Sequence, residues 1–145
     1  MNRDFAEMLS ALCDAGADFL IVGAHALAAH GTPRATGALD LWVRPTPSNA
    51  ERDWAALRAF GAPLHDLTPD DLAMPGIVFQ IGLPPCRIDI LTEISGVDFD
   101  PAFRRRMTLE VEGRALPFLS RDDLIANKRA AGRPKDLAEV IDLEG

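Results

Sequence analysis

Short apolar runs of strand length alternate along this chain with segments of helical periodicity. Residues 19–22 are four consecutive apolar residues, as in a strand that is buried on both faces. Residues 39–43 alternate apolar side chains with Asp40 and Trp42, and residues 3–15 have apolar side chains at the spacing of an amphipathic helix. This alternation favours an α/β (α+β) domain with a mixed β-sheet and helices packed mainly on one face, over a helix bundle or a β-sandwich.

The other segments extend the same pattern. Further helices are predicted over residues 24–30, 48–60, 120–130 and 134–143, with a short one capped by Asp100. Further strands are predicted over residues 77–82 with 86–91 and over 108–111 with 115–119, each pair joined as a hairpin. Ser48 and Ser120 are predicted N-caps, because an acidic residue three positions later completes a capping box. Residues 61–76 contain three prolines and are expected to form a loop.

The charge of the chain is unevenly distributed. The 145 residues carry 22 acidic and 15 basic side chains, a net charge of −7 that argues against nonspecific binding of duplex DNA by the whole surface. Residues 104–135, however, hold nine basic against four acidic side chains, so an anionic ligand is expected to meet this C-terminal third. The length and the 48% apolar content predict a single domain spanning residues 1–145.

The cysteines and the first residues do not indicate export. Cys13 and Cys86 are 73 positions apart in apolar contexts, and Asp4 and Glu7 lie where a signal peptide would be basic and then apolar. The longest apolar stretch, residues 19–29, is shorter than the roughly 20 residues that a membrane span needs. These features predict a reduced, cytoplasmic protein that does not interact with membranes.

Three residues in or directly after the apolar strands are candidates for a functional site. Gly23 follows the run 19–22 and opens a helix, an arrangement that lets backbone N–H groups approach a phosphate or merely permits close packing. Asp40 and Asp89 are lone carboxylates inside apolar strands, where a charge is costly unless it is paired or bound to a cation. By alternation, both could line one open sheet face and bind Mg²⁺ through oxygen. The alternative is that they face water or pair with Arg34 and Arg87.

The histidines and tryptophans are assigned to structure rather than chemistry. His25 and His30 are five positions apart, unlike the i, i+4 pairs that bind zinc on a helix, so no zinc site is predicted. His25 is expected to be buried and hydrogen-bonded, although its place after the turn would also let it contact a ligand. Trp42 and Trp54 are expected to pack in the core or on the sheet rather than to stack on bases.

Several short motifs, in their order and spacing, resemble one protein family. They are Val22-Gly23-Ala24-His25-Ala26, Pro33-Arg34-Ala35-Thr36, Ala38-Leu39-Asp40-Leu41-Trp42, Arg87-Ile88-Asp89-Ile90-Leu91, Asn127-Lys128-Arg129 and Gly132-Arg133-Pro134-Lys135-Asp136. The glycine turn followed by a strand carboxylate resembles the nucleotidyltransferases of the polymerase β superfamily, and the whole set resembles their small bacterial AbiEii-toxin-like members. The similarity spans about residues 18–140.

The chain departs from this family at one metal-binding position. The family pattern has Asp where this chain has Ala38, and that Asp bridges both ions of a two-metal phosphoryl-transfer site. The resemblance implies that Asp40 and Asp89 are the remaining catalytic and metal-binding carboxylates, with Mg²⁺ or Mn²⁺ as the cofactor. Ala24 replaces the second Gly or Ser of the turn, which leaves its backbone N–H available. Nucleotide binding is therefore expected to survive better than catalysis.

The resemblance also implies which residues meet the turn and the phosphates of an NTP. These residues are Gly23, Ala24, Arg34, Thr36, Lys128, Arg129, Arg133 and Lys135. The alternative for the basic helix residues is a solvated face, and the alternative for Arg34 and Thr36 is a structural role in ordering the turn.

Three functions follow as hypotheses. An impaired nucleotidyltransferase would transfer a nucleotide from Mg²⁺-bound NTP to a hydroxyl group of an RNA, a protein or a small molecule. A noncatalytic member would bind nucleotide for regulation. An interaction module would keep only the fold, for example with an antitoxin as its partner in a toxin–antitoxin pair.

Overall fold

The computed structural model describes residues 1–145 as a six-stranded mixed sheet with helices on both faces. The helices are α1 (Arg3–Asp14), α2 (Gly23–Ala29), α3 (Pro47–Phe60), α4 (Phe99–Arg104), α5 (Arg121–Ala131) and α6 (Pro134–Glu144). The strands are β1 (Phe19–Val22), β2 (Ala38–Val43), β3 (Val78–Ile81), β4 (Arg87–Leu91), β5 (Met107–Val111) and β6 (Arg114–Phe118). A 3₁₀ helix, Pro69–Ala73, interrupts the loop that follows α3.

The strand order is β3-β4-β2-β1-β6-β5. Both predicted hairpins are confirmed, since β3 pairs antiparallel with β4 and β5 pairs antiparallel with β6. Between them, β1 and β2 are antiparallel, whereas β2 with β4 and β1 with β6 are parallel. The predicted mixed sheet and the α+β class are therefore confirmed, and β2 lies between β1 and β4.

The helices cover both faces of the sheet rather than mainly one. One core packs α1, α3 and the 3₁₀ helix against one face, and a second core packs α2, α4, α5 and α6 against the other. The physical reason is visible in β1, which is apolar at every position. Phe19 and Ile21 enter the first core, while Leu20 and Val22 enter the second, so each face needs its own helical layer.

Two helix starts differ from the sequence prediction, and one is confirmed. Thr46 rather than Ser48 caps α3, accepting a hydrogen bond from the Asn49 N–H, because Pro47 favours the first helical position. Asp98 rather than Asp100 precedes α4, again with a proline in the first turns. Ser120 caps α5 as predicted, accepting from the N–H of Asp123.

None of the six helices combines the length and the apolar character that a membrane span needs.

Candidate functional site

The two strand carboxylates lie side by side. The parallel register of β2 and β4 pairs Asp40 with Asp89, and strands in a sheet are only about 4.8 Å apart. Their apolar neighbours, such as Leu39 and Ile88, point to the opposite face and enter the first core. The predicted shared face for the two carboxylates is therefore present, and it is the face that α2, α5 and α6 partly cover.

Asp89 is paired within the protein. Its side chain is buried, with 7% of the residue exposed, and the Arg87 guanidinium donates to both of its oxygens. The Nε–Oδ1 distance is 3.0 Å and the second nitrogen lies 3.2 Å from Oδ2. Of the alternatives open at the sequence level, the pairing with Arg87 is thus observed. Exposure to water is not observed for Asp89.

Asp40 is half-buried and has a raised pKa. Burial is the main cause, and the adjacent Asp89 carboxyl adds to it, so that the pKa of Asp40 rises to about 6. The positive charges of Arg87 and Lys128 act in the opposite direction. Asp40 therefore has a carboxyl group beside a second carboxyl, and either a proton or a cation bound there would relieve the repulsion between them.

Gly23 lies directly against Asp40. Its φ of +67° is in the left-handed region, and a Cβ at this position would overlap Oδ2 of Asp40. The glycine is required both by its backbone conformation and by this contact. The junction of β1 and α2 therefore closes one side of the carboxylate pair.

Lys128 forms the facing wall and is not a solvated residue. It lies on α5 with 8% of the residue exposed, and its Nζ is 3.2 Å from Oε1 of Glu139 and 3.6 Å from Oδ1 of Asp136. Both acidic partners belong to α6. Lys128 therefore ties α5 to α6 at the cleft, and the alternative of a solvated face is excluded for this residue.

Arg133 is fixed by the same buried acid. Asp136 is completely buried and accepts from Nε of Arg133 at 2.6 Å, from a second guanidinium nitrogen at 3.2 Å and from the Arg133 backbone N–H. The hydrogen bonds from Arg133 are the largest cause that holds the pKa of Asp136 below its usual value. Arg133 itself keeps 62% of its side chain exposed at the cleft.

The cleft over these residues has two lobes. The larger, about 630 Å³, is lined by Ala38, Asp89 and the arginines 34 and 87 among others, and the smaller measures about 480 Å³. Four residues line both lobes: Gly23, Asp40, Lys128 and Arg133. The carboxylates and the cations thus face one another across a space of small-molecule size.

The remaining predicted phosphate-binding residues divide into two groups. Ala24, Arg34, Thr36 and Lys135 line the larger lobe. Arg129 does not line either lobe and pairs instead with Glu144, at 2.8 Å. Adjacent residues on a helix point about 100° apart, and α5 presents Asn127 and Lys128 to the cleft while Arg129 points toward Glu144.

Arg34 and Thr36 also have structural partners. Arg34 pairs with Asp142 and lies 3.7 Å from Glu139, rather than pairing with Asp40. The Thr36 hydroxyl bonds to both the carbonyl and the N–H of Ala38, which orders the entry to β2. The structural interpretation of both residues is therefore supported, while both remain at the rim of the larger lobe.

The comparison with known proteins adds no family. No protein-family model and no curated protein matches this sequence.

Two charged residues of the site were not assigned from the sequence. Asp136 and Glu139, both on α6, neutralise the basic wall. A local signal existed for Asp136, which lies three positions after the Arg133 N-cap and can bond back to it. No local signal marked Glu139, since its partner Lys128 is on another helix.

The donor set fits a cation that is carried by a substrate better than a resident metal. No group of three or more His, Cys, Asp or Glu side chains is arranged to hold a metal ion. Mg²⁺, however, is commonly held by only one or two carboxylates together with substrate phosphates and water. Asp40 and Asp89 supply two adjacent carboxylates of this kind.

The histidines are not part of this arrangement. Nε2 of His25 has no hydrogen-bond partner, so the expected hydrogen bond is not found at this nitrogen, and the ring packs edge-on against Phe5. Burial is the main cause that lowers the pKa of His25. His30 is the histidine with a hydrogen bond, between its Nε2 and the carbonyl of Leu119 at 2.8 Å.

Proposed function

We propose that this protein binds an NTP with Mg²⁺ in the two-lobed cleft and belongs by descent to the nucleotidyltransferases, with an impaired transfer of nucleotide to an acceptor hydroxyl. The observation that carries the proposal is the register pair of Asp40 and Asp89, facing Lys128 and Arg133 across the cleft. Acidic groups for a cation and basic groups for phosphates are needed on opposite sides of a metal-bound polyphosphate.

The basic residues of the cleft differ in how strongly acidic partners engage them. Lys128 is neutralised by Asp136 and Glu139, so its charge mainly organises the wall. Lys135 is exposed at the larger lobe, and Arg133 keeps an exposed guanidinium there. These two side chains are the first candidates to contact phosphate, because Lys135 has no buried acidic partner and Arg133 keeps one guanidinium nitrogen that Asp136 does not engage.

The bound Mg²⁺ would neutralise phosphate charge and orient the α-phosphate. Asp40 and Asp89 would hold it together with phosphate oxygens. The acceptor oxygen would attack the α-phosphorus, and the bond from that phosphorus to the oxygen bridging to the β-phosphate would break, releasing pyrophosphate. The proton of the acceptor hydroxyl would pass to a strand carboxylate such as Asp89. With alanine at position 38, the ion that would activate the acceptor loses a ligand, which is the reason to expect weak transfer.

A noncatalytic nucleotide-binding role is the second candidate. The observation that favours it is the missing third ligand, since no three-residue metal cluster exists in the chain. The two candidates share the binding step and differ only in transfer.

Binding is tested by thermal shift with each of the four NTPs and Mg²⁺. A ligand at about 100 times its Kd stabilises by about 2.7 kcal/mol, which is readily measured. Lys135→Ala should reduce the shift, whereas Arg129→Ala, a charge loss of the same kind outside the cleft, should not. If no NTP shifts the melting temperature, both nucleotide-based candidates are wrong.

Transfer is tested by incubation with α-labelled NTPs and total cell extract, with Ala38→Asp beside the unchanged chain. The restored carboxylate should raise Mg²⁺-dependent stabilisation and increase label transfer by orders of magnitude. Without metal it should lower stability, because like charges on one strand face repel. Nucleotide binding without transfer by either chain would favour the noncatalytic role.

A further inference from the structure

Arg87 occupies a special position beside the carboxylate pair. The β2–β4 register that pairs Asp40 with Asp89 also pairs Ala38 with Arg87, so Arg87 lies next to the position of the missing carboxylate. From there its guanidinium reaches two residues along its own strand and binds Asp89 through two hydrogen bonds of 3.0 and 3.2 Å. The pair is partly buried, with 34% of the Arg87 side chain and 10% of the Asp89 side chain exposed.

This contact uses the oxygens that a divalent cation would need. A two-point guanidinium pair engages both carboxylate oxygens, and a partly buried pair is screened by solvent less than an exposed one. The other cations near the pair are already engaged, since Lys128 is held by Glu139 and Arg133 by Asp136. Arg87 is therefore the positive charge that compensates Asp89 in the chain as it stands.

We propose that Arg87 acts as an internal cation that competes with divalent metal for Asp89, so that a metal ion enters the site only by displacing the guanidinium. The inference rests on the proposed function for its choice of ion. The displaced guanidinium remains in the larger lobe with Lys135, where a phosphate group becomes its next partner.

Position 38 bears directly on this competition. A carboxylate there would be the register neighbour of Arg87 and would offer its guanidinium a second partner. With alanine at this position, Asp89 is the partner that Arg87 has. Alanine at position 38 therefore has two consequences for the proposed site: it supplies no ligand, and it leaves Asp89 as the partner of Arg87.

The test measures binding of Mn²⁺ alone, without nucleotide, from the electron paramagnetic resonance signal of the free ion. Arg87→Gln should bind Mn²⁺ about tenfold more tightly than the unchanged chain, which corresponds to about 1.4 kcal/mol. Arg129→Gln is the matched control, because it removes the same charge from outside the cleft and should leave Mn²⁺ binding unchanged. Arg87→Lys should give an intermediate affinity, since it keeps the charge but lacks the two-point geometry.

The double variant Arg87→Gln with Asp89→Asn locates the effect. It should lose the gain in Mn²⁺ affinity, because the oxygen released by the first substitution is removed by the second. A folded Arg87→Gln or Arg87→Lys protein that binds Mn²⁺ no more tightly than the unchanged chain would overturn the proposal. Because the readout uses metal alone, a failure of NTP binding would overturn the proposed function without deciding this competition.

Discussion

Asp53 is a buried carboxyl group that the cleft does not use. It lies on α3 with 1% of the residue exposed, and neither of its oxygens has a hydrogen-bond partner. Burial, with a smaller contribution from the charge of Asp18, raises the pKa of Asp53 to about 8. The folded state therefore binds a proton here at pH values where the unfolded chain, with an ordinary pKa near 3.8, has released it.

The sign of the resulting pH dependence is fixed. Because the folded state holds the extra proton, Asp53 lowers the free energy of unfolding as the pH rises from about 4 to about 8. Asp53→Asn should remove this loss and be more stable than the unchanged chain at about pH 9 by several kcal/mol, because the two pKa values differ by about four pH units. Urea unfolding at several pH values measures this difference in the free energy of unfolding. The exposed Asp66→Asn is the control, and equal slopes for both variants would contradict the prediction.

Gly23 allows a second prediction at the residue scale, because the chain contains a matched control. Gly16 has nearly the same φ, +70° against +67°, but a Cβ there would have no atom within 4 Å. Gly16→Ala should cost about 1–2 kcal/mol from the backbone alone. Gly23→Ala should cost more, because its methyl group meets Asp40 as well.

Adding Asp40→Ala to the Gly23→Ala chain should recover part of the excess cost, since the overlapping oxygen is then gone. Unfolding free energies from urea titration give all three values. Equal costs for the two glycine substitutions would mean that Gly23 and Asp40 do not approach as closely as described.

At the scale of elements, α5 and α6 are joined by a buried charge cluster. Lys128 on α5 lies between Asp136 and Glu139 on α6, and all three are buried. Lys128→Ala is more than a surface change, because it removes the closest cation of the buried Glu139 and the ion pair that joins the two helices.

Lys128→Ala should therefore destabilise the protein by about 3 kcal/mol, as for other broken buried pairs. Arg129→Ala, at the neighbouring exposed position on the same helix, should change stability by no more than about 0.5 kcal/mol. Adding Glu139→Gln to Lys128→Ala should restore part of the loss. A Lys128→Ala protein with unchanged thermal stability would show that the cluster does not hold the helices together.

At the scale of the whole molecule, acidic side chains outnumber basic ones. The net charge is −7, and the exposed cations of the cleft lie next to carboxylates. Nonspecific duplex binding depends on many phosphate contacts from a basic surface. No binding of a labelled DNA duplex is therefore expected by fluorescence anisotropy at about 10 μM protein and about 0.15 M salt. Saturable binding under these conditions would contradict this expectation.

The sequence alone determined most of the elements and the orientation of the strand carboxylates. The apolar run of β1 and the alternation in β2 are local patterns, and they predict burial on two faces and on one face respectively. Alternation placed Asp40 opposite Leu39 and Asp89 opposite Ile88, and the first core, which contains both apolar residues, confirms it. The other face of β2 is also buried at Trp42, because a second helical layer covers it. The start of α3 was predicted two residues too late. Thr46 and Ser48 are both possible N-caps, and Pro47 favours Thr46 because proline is preferred at the first helical position.

Only the tertiary structure decided what these residues contact. Strand order brought β4 beside β2 and so put Asp89 next to Asp40 and Arg87 next to Ala38. Helix packing buried Lys128 against Glu139. The physical reason is the distance along the chain over which each effect acts. A periodic pattern determines which way a side chain points within its own element. A buried charge needs a partner, and that partner comes from a distant segment that only the assembled fold supplies.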